Sequence, residues 1–337
     1  MPKVYFVIPC YNEEEVLNET MKRLSRKLQQ LIADGKAAED SRMLFVDDGS
    51  KDKTWSIIQE KSGENKYIGG VKLSRNRGHQ NALFSGLMTA KEHGCDCVIS
   101  LDADLQDDIE VIDQFIEKYM EGCEVVYGVR NSRKKDTFFK RTTAQGYYKF
   151  MKALGVDIVY NHADYRLLGS KALDALSEYR EVNLFLRGIV PLIGYRSDYV
   201  YYERSERFAG ESKYPLKKMI RFAIDGITSF SVKPLKLISN LGILMCVFSL
   251  IGFIYALVSY FVGVAQSGWA SIICSIWFIG GLQMLGIGIV GSYVGRIYSE
   301  VKQRPRYRIE KTIINGEPDE EEEAGKTIKT VKTLPDK

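Results

Sequence analysis

The chain has 337 residues, of which 27% are charged and 45% are hydrophobic, a composition that excludes wholesale disorder. Its 47 basic and 43 acidic side chains leave a net charge of +4, which argues against a nucleic-acid partner.

Short apolar runs alternate with amphipathic stretches through roughly the first 170 residues. The runs predict strands at 4–8, 43–46, 68–73, 97–101 and 124–127, and the stretches between them predict helices at 16–32, 54–61, 81–93 and 109–120. Strands that alternate with helices form mainly parallel sheets, which bind ligands at the carboxyl ends of their strands. Residues 1–182 are therefore assigned to one α/β domain.

Acidic residues follow two of the predicted strands. Asp47 and Asp48 end the second strand, and the sequence Asp102-Ala103-Asp104-Leu105-Gln106-Asp107 follows the fourth. Together they suit a hard cation whose shell is completed by substrate phosphates. No Gly-x-Gly-x-x-Gly sequence follows the first strand, which excludes the usual dinucleotide-binding fingerprint.

Residues 183–236 mix apolar residues with Lys and Arg. Within them, residues 214–230 carry apolar side chains at near-helical spacing, which predicts an interfacial helix at a membrane surface. An ordinary amphipathic helix packed on the sheet is the alternative.

Two uncharged apolar stretches follow, at 237–264 and 269–294. Each is longer than the ~20 residues that a membrane-spanning helix needs, and the short connection between them predicts a hairpin. Lys and Arg flank the outer ends of both stretches and are absent from the connection, so both termini and the α/β domain are expected on the cytoplasmic side of a plasma membrane. Residues 295–337 are expected to form a basic, then acidic tail that is partly disordered.

Six motifs together resemble glycosyltransferase family 2, and within it the polyprenyl-phosphate glycosyltransferases of the dolichyl-phosphate mannose synthase and bactoprenol glucosyltransferase group. They are Ile8–Glu13, Val46–Ser50, Asn76–Gln80, Asp102–Asp107, Asp164–Leu167 and Arg207–Tyr214. The resemblance runs from about residue 3 to residue 300. It implies a GT-A fold, which is Rossmann-like with a mainly parallel sheet, plus interfacial helices and the two-helix transmembrane hairpin.

The resemblance also implies a donor site for a UDP-sugar. Asp102 and Asp104 would hold Mg²⁺ or Mn²⁺ at the diphosphate, and Asp47 and Asp48 would bind the uracil or ribose edge. For Asp48 a turn that caps the next helix is a structural alternative, and both roles can hold together. The other nucleotide-sugar contacts implied are Pro9, Tyr11, Glu13, Ala103, Gln106, Arg130, Arg207 and Lys213.

The resemblance also implies that Asp164 and Arg166 lie where the acceptor binds. Arg166 would contact a lipid phosphate, and Asp164 matches the family's proposed catalytic carboxylate. A phosphate monoester has a second pKa near 6, so the acceptor needs no base near neutral pH, and Asp164 is either a base or an orienting group. Asn161 stands where many relatives carry a further Asp. For His79 a structural hydrogen bond is favoured over substrate contact.

These roles predict an inverting glycosyltransferase that moves a single hexose (glucose, N-acetylglucosamine or galactose) from a UDP-sugar to undecaprenyl phosphate, giving a β-linked product. A processive polysaccharide synthase is one alternative, although the chain has no Gln-x-x-Arg-Trp motif. A non-catalytic membrane scaffold is the other, although both acidic clusters are intact. By analogy with relatives that form tetramers, the resemblance also allows a homo-oligomer.

Overall fold

The computed structural model describes residues 1–130, 162–182, 184–203, 268–314 and 317–318, with scattered residues between 235 and 262. The chain divides into two compact units, one of Met1–Arg141, Val159–Lys213 and Pro305–Lys337, and one of Thr142–Ile158 and Tyr214–Arg304. Several predicted features lie outside the described residues, namely Asn161, Arg207, Lys213, the helix at 214–230 and most of the stretch at 237–264.

The first unit is organised around one sheet, to which the described residues contribute nine strands. They are β1 (Val4–Cys10), β2 (Arg42–Asp47), β3 (Ile68–Leu73), β4 (Cys97–Ser100), β5 (Val125–Arg130), β6 (His162–Gly169), β7 (Ser197–Tyr202), β8 (Ile309–Ile314) and β9 (Glu317–Pro318). The helices of this unit are α1 (Leu17–Ala33), α2 (Thr54–Glu64), α3 (His79–Glu92), α4 (Ile112–Met120), α5 (Ser170–Glu178) and α6 (Leu186–Leu192).

The strand order is β7-β5-β6-β4-β1-β2-β3-β8-β9. Its centre, β4-β1-β2-β3, is parallel, and β6 and β8 join it as antiparallel strands on either side. The α/β sheet predicted from the sequence is confirmed, with the elements close to their predicted bounds. Pairing of Ser100 with Arg166 places β6 beside the strand that ends at the acidic loop.

The core lies where the apolar face of α1 meets the sheet. All seven residues of β1 are buried, as expected for a strand covered on both faces. On the other face, α3 approaches β1 so closely that a Cβ on Gly86 would lie 2.5 Å from Val7 Cγ1. Glycine at this position therefore lets α3 pack directly on the sheet and fixes its first residues at the sheet edge.

The chain returns to the first unit after its long apolar helix. Strand β8 pairs with β3, and Ser74 N donates to Arg308 O at 2.9 Å. The Arg306 guanidinium lies 4.7 Å from the Phe84 ring centroid and donates to Tyr179 O. Part of the predicted tail thus forms an edge of the main sheet, which the sequence pattern did not indicate.

Helix α7 (Trp269–Val301) contains the second predicted apolar stretch. Within it, Phe278–Val301 is long and apolar enough to cross a membrane, and it is the one such helix among the described residues. Its apolar side chains are exposed, including Phe278, Met284 and Ile287. The structure does not establish the two-helix hairpin or a multi-pass topology, which stay predictions.

Candidate functional site

The loops that follow β1 and β2 are joined by hydrogen bonds. Asn12 N donates to Ser50 Oγ at 3.0 Å, and Asn12 Oδ1 accepts from Lys51 N at 2.9 Å. Asn12 has a φ of 53°, a left-handed conformation that Asn tolerates better than most residues. Pro9, near the end of β1, is buried, while Tyr11 and Glu13 on the loop are partly exposed.

Asp47 and Asp48 are both buried at the end of β2. Asp48 accepts from Arg77 N at 2.6 Å and from Gly78 N at 2.9 Å, so both of its oxygens hold the loop that leads into α3. Asp47 Oδ1 accepts from Ser50 N at 3.1 Å, but Asp47 Oδ2 has no hydrogen-bond partner. Burial raises the pKa of both carboxyls. Asp48 therefore has a structural role, but it holds the loop before α3 and is not seen to cap the next helix, α2, as the structural alternative predicted. Asp47 keeps an acceptor atom for a ligand.

The acidic loop after β4 is anchored to α1. Ala103 is buried, and its carbonyl accepts from Thr20 Oγ1 at 2.7 Å. Asp104 Oδ1 accepts from Gln106 N at 3.2 Å, and Leu105 has a φ of 56°, which is costly for a residue with a branched side chain. This anchoring leaves Asp102 and Asp104 partly exposed while Gln106 is almost buried.

Asp107 ends this loop and holds Arg130 beside it. Asp107 Oδ1 accepts from Tyr202 OH at 2.6 Å and from Arg130 Nη2 at 3.5 Å, and Arg130 Nε donates to Tyr202 OH at 3.3 Å. Burial, together with the negative charge of Asp102, raises the pKa of Asp107 to about 6. Sequence reasoning gave Asp107 and Tyr202 no role, although Asp107 lies in a quoted motif.

The residues at the end of β4 fit a divalent cation in their donor chemistry. Asp102 and Asp104 offer carboxylate oxygens, which Mg²⁺ and Mn²⁺ prefer, and both charges contribute to the raised pKa of Asp107. Across the described part of the chain, no group of three His, Cys, Asp or Glu side chains is arranged to hold a metal. The two aspartates would therefore need oxygens from a substrate, such as a diphosphate, to complete the shell of the ion.

Asp164, on β6, lies at the centre of a second charged cluster. Its Oδ1 accepts from Arg166 Nη2 at 2.5 Å and from Arg187 Nε at 3.2 Å. Its Oδ2 accepts from Arg187 Nη2 at 3.0 Å and from Gln80 Nε2 at 3.4 Å. Arg187, on α6, thus forms a bidentate ion pair with the Asp164 carboxylate.

The charges around Asp164 reverse the effect of its burial. Burial alone would raise the pKa of Asp164, but Arg187, the nearby His79 imidazole and Arg166 hold it well below its usual range. A carboxylate with so low a pKa is a poor general base near neutral pH. Of the two roles left open for Asp164, this environment favours the orienting group.

The structure encloses Arg166, which the resemblance implies as a contact of the lipid phosphate. Its side chain is 2% exposed, and besides Asp164 it donates through Nη1 to Leu186 O at 3.3 Å. A residue so enclosed has no surface to offer a lipid phosphate in this conformation. Arg166 instead fixes the start of α6, while Arg187 on that helix is 34% exposed.

His79 connects the two clusters. It is the first residue of α3, and its Nε2 lies 3.7 Å from Asp102 Oδ1 and 3.6 Å from Asp164 Oδ2. The nearby carboxylates of Asp164 and Asp102 outweigh burial and raise the pKa of His79. The carboxylate of the acidic loop and that of β6 therefore face each other across one imidazole.

Sequence reasoning missed Arg187 and left Gln80 without a role. A signal for Arg187 was present, because it is the single charged residue in the run Leu184–Val190. Charged residues inside an apolar run are usually paired with an opposite charge. The identity of that partner, Asp164, depends on the fold and could not be read from the run itself.

Comparisons with known proteins identify the family of the chain. Residues 5–177 match the model of Glycosyl transferase family 2. The chain is 55% identical over 314 residues to the glycosyltransferase YkoT of Bacillus subtilis (strain 168), covering 93% of each chain. It is 38% identical over 312 residues to the SfII prophage-derived bactoprenol glucosyl transferase of Shigella flexneri, covering 92% of this chain and 98% of that one.

Among solved structures, glucosyl-3-phosphoglycerate synthase from Mycobacterium tuberculosis, in complex with phosphoglyceric acid, superposes with a TM-score of 0.46 at 17% identity. That match covers 68% of this chain and 80% of the synthase. The family match spans just over half of the chain, and the identity to YkoT extends over nearly all of it. The chain belongs to glycosyl transferase family 2.

Proposed function

We propose that this glycosyltransferase moves a single hexose from a UDP-sugar to a polyprenyl phosphate, undecaprenyl phosphate in a bacterium, with inversion at the anomeric carbon. The observation that carries the proposal is the approach of two charged clusters across His79. On one side lie the partly exposed aspartates of the acidic loop, and on the other lies Asp164 with its arginines. A donor diphosphate suits the first cluster and an acceptor phosphate suits the second.

The relatives support the nature of the acceptor. Proteins from Shigella phages SfII, SfV and SfX that are 37–38% identical over at least 91% of this chain are named bactoprenol glucosyl transferases. The alignments cover 98% of each of those proteins, so the similarity includes the apolar C-terminal region. The identity of the hexose stays open between glucose, N-acetylglucosamine and galactose.

The donor would lie along the edge formed by the ends of β1, β2 and β4. Asp47 Oδ2 is a buried acceptor without a partner, and a hydroxyl of the ribose or an N–H of the base would satisfy it. Tyr11 and Glu13 would line the same pocket, and Gln106 and Arg130 would contact the sugar or its phosphates. Arg207 and Lys213 are proposed to close over the diphosphate.

The reaction needs little proton transfer from the protein. A phosphate monoester is largely dianionic near neutral pH, so one of its oxygens attacks the anomeric carbon directly. The bond from that carbon to the β-phosphate oxygen breaks, UDP leaves with the bonding electron pair, and a β-linked polyprenyl-phosphate sugar results. When bound, Mg²⁺ or Mn²⁺ would offset the charge that develops on UDP. The chain's own contribution is to hold the two anions in line.

The membrane arrangement follows from the same proposal. A polyprenyl chain stays in the bilayer, so the enzyme must reach a phosphate at the membrane surface. Helix α7 is long and apolar enough to span a bilayer. We propose that it pairs with the stretch at 237–264 as a hairpin, with interfacial helices before it and the catalytic domain on the cytoplasmic side.

An assay with radiolabelled UDP-hexoses, undecaprenyl phosphate and Mg²⁺ or Mn²⁺ tests the proposal on the full-length protein. One donor is expected to label a single-sugar lipid, and mass spectrometry identifies the hexose. The variant Asp104→Asn is expected to lose at least 100-fold in kcat, on the order of what removal of one charge-stabilising group costs in other enzymes.

The matched control is Asp174→Asn, an exposed aspartate that pairs with Lys91 at 2.9 Å on α3. It should transfer sugar at the wild-type rate. Failure of every donor to label the lipid, or full activity of Asp104→Asn, contradicts the proposal. A long polymer as the product would instead identify a processive synthase.

A further inference from the structure

We propose that Tyr202 is a positioning residue of the donor site, whose buried hydroxyl orients the Arg130 guanidinium toward the diphosphate of the UDP-sugar. The inference rests on the proposed function, because it names the residue that holds one of the proposed donor contacts in place. It concerns the end of β7, which lies beside β5 and is bonded to the acidic loop.

The sheet places Tyr202 and Arg130 side by side. They are the last residues of β7 and β5, and they are partners in the parallel register of these two strands. Because side chains alternate along a strand, two residues in register project from the same face of the sheet. Arg130 Nε accordingly donates to Tyr202 OH at 3.3 Å. The strand register therefore brings the two side chains together.

The partners of Tyr202 fix the direction of its hydroxyl. Tyr202 OH donates to Asp107 Oδ1 at 2.6 Å, because a carboxylate only accepts, and it accepts from Arg130, because a guanidinium only donates. Arg130 Nη2 lies 3.5 Å from the same Asp107 oxygen. The phenol oxygen therefore serves at once as a donor to the acidic loop and as an acceptor for the arginine, and a phenyl ring could do neither.

Packing holds the Tyr202 ring at the buried end of this arrangement. Tyr202 is 2% exposed and the Asp107 side chain is 4% exposed, whereas the Arg130 side chain is 27% exposed. The Tyr202 ring meets the Tyr165 ring edge-on, with 5.3 Å between the centroids, and Tyr165 OH donates to Asp108 O at 2.9 Å. The guanidinium is thus held from the core while part of it reaches solvent.

The bonds to Tyr202 and Asp107 leave most of the Arg130 guanidinium available. They use two of its five N–H groups, and Arg130 makes no other hydrogen bond or ion pair with the described residues. Asp107 directly follows Gln106 in the acidic loop, so the remaining N–H groups would be presented to a diphosphate bound there. A guanidinium already held in one orientation loses little further freedom when it binds such an anion.

Binding of UDP to the full-length protein, measured by titration calorimetry with Mn²⁺ present, tests this role. Tyr202→Phe keeps the ring and removes the hydroxyl, so UDP affinity is expected to fall about fivefold, as for the loss of one hydrogen bond. Arg130→Gln is expected to weaken UDP binding at least about tenfold, because a charged donor is lost. In the Arg130→Gln background, Tyr202→Phe should weaken binding by less than about twofold, since no guanidinium is left to orient.

The matched control is Tyr199→Phe, the same change on the same strand. The Tyr199 ring is 39% exposed and stacks on Tyr127 with 5.8 Å between the centroids, so UDP affinity should stay at the wild-type level. Unchanged UDP affinity in Tyr202→Phe overturns the inference. A loss that persists in full in the Arg130→Gln background also overturns it, since the hydroxyl would then act by a route other than Arg130.

UDP binding needs neither the acceptor nor sugar transfer, so this experiment is distinct from the test of the proposed function. If the UDP affinities follow the expected pattern and no polyprenyl phosphate is labelled, the proposed reaction fails while the role of Tyr202 stands. In the transfer assay, Tyr202→Phe should raise KM for the UDP-sugar about fivefold and change KM for undecaprenyl phosphate less than about twofold. Equal increases in both KM values would indicate a purely structural role and refute the inference.

Discussion

Asp47 and Asp107, at the proposed donor edge, are buried to a degree similar to that of Asp164, yet their electrostatics are opposite. Asp47 and Asp107 have raised pKa values, because burial outweighs the partners they have. Asp164 has a lowered pKa, because two arginines and His79 outweigh the same burial. The direction in which the pKa of a buried carboxyl group shifts therefore depends here on its charged and hydrogen-bonding partners and not on how deeply it is buried.

This difference corresponds to two tasks. A carboxylate without enough partners, such as Asp47, remains ready to accept a hydrogen bond from a ligand. A carboxylate already saturated by arginines, such as Asp164, is suited to hold those arginines in place. Replacing each acid by its uncharged amide isolates the contribution of its charge, and the three substitutions below are ordered by the expected effect on folding.

Asp164→Asn should have the largest effect, a loss of about 3–5 kcal/mol in the free energy of unfolding, because the enclosed Arg166 would lose its counter-charge. In the wild type this stabilisation is present above the unfolded-state pKa, near 4, and is lost as pH falls further, because the folded-state pKa is lower still. Denaturant unfolding of the wild type and the variant between pH 3 and 8 measures both effects.

Asp174→Asn serves as the control for this loss. Its ion pair with Lys91 is exposed, so at most about 1 kcal/mol should be lost. If Asp164→Asn has the wild-type free energy of unfolding at pH 7, Asp164 does not stabilise the arginines. The contrast between Asp164 and the other buried acids would then be wrong.

Asp107→Asn should act through the pH dependence of stability. The folded-state pKa of about 6 exceeds the unfolded value near 4, so the wild-type contribution is greatest below pH 4 and is lost as pH rises to about 6. The variant should lack this decline, which is on the order of 1–3 kcal/mol. Unfolding should be followed in a chelating buffer, because a bound cation would shift the titration of Asp107.

The control for this prediction is Asp34→Asn, an aspartate at the end of α1 away from the acidic loop. It should retain the wild-type decline between pH 4 and 6. A decline of the same size in Asp107→Asn would show that another group titrates in this range.

Asp47→Asn should have the smallest effect on folding, within about 1 kcal/mol. The amide oxygen can still accept from Ser50 N, and among the described residues Asp47 forms no ion pair with an enclosed cation of the kind that Arg166 forms with Asp164. Binding of the donor should weaken at least tenfold, as measured by titration calorimetry with UDP. Unchanged UDP affinity would show that Asp47 Oδ2 does not face the nucleotide.

The sequence predicted much of the central sheet correctly because each strand there is a short apolar run with a helix beside it. The strand β1 and the helix α1 needed only local patterning to be recognised. Strand β8 was missed for the opposite reason. Its pairing with β3 joins segments more than 230 residues apart, and Ile309–Ile314 mixes charged and apolar residues without the alternation that marks a strand.

The candidate site shows the same division. The acidic residues at the ends of β2 and β4 are visible in the sequence because each follows directly on its strand. The roles of Arg166 and Arg187 were not visible, since both residues are arginines near apolar segments and only their burial distinguishes them. The structure encloses the first and exposes part of the second.

By itself, the sequence determined the α/β class, the carboxylates at the strand ends and the presence of apolar stretches long enough to span a membrane. Those properties depend on the order of neighbouring residues, which sets strand and helix periodicity. Only the tertiary structure decided which charges meet. It placed β6 antiparallel beside β4, brought α6 against its end, and so gave Asp164 two arginines while leaving Asp47 with an unpaired oxygen.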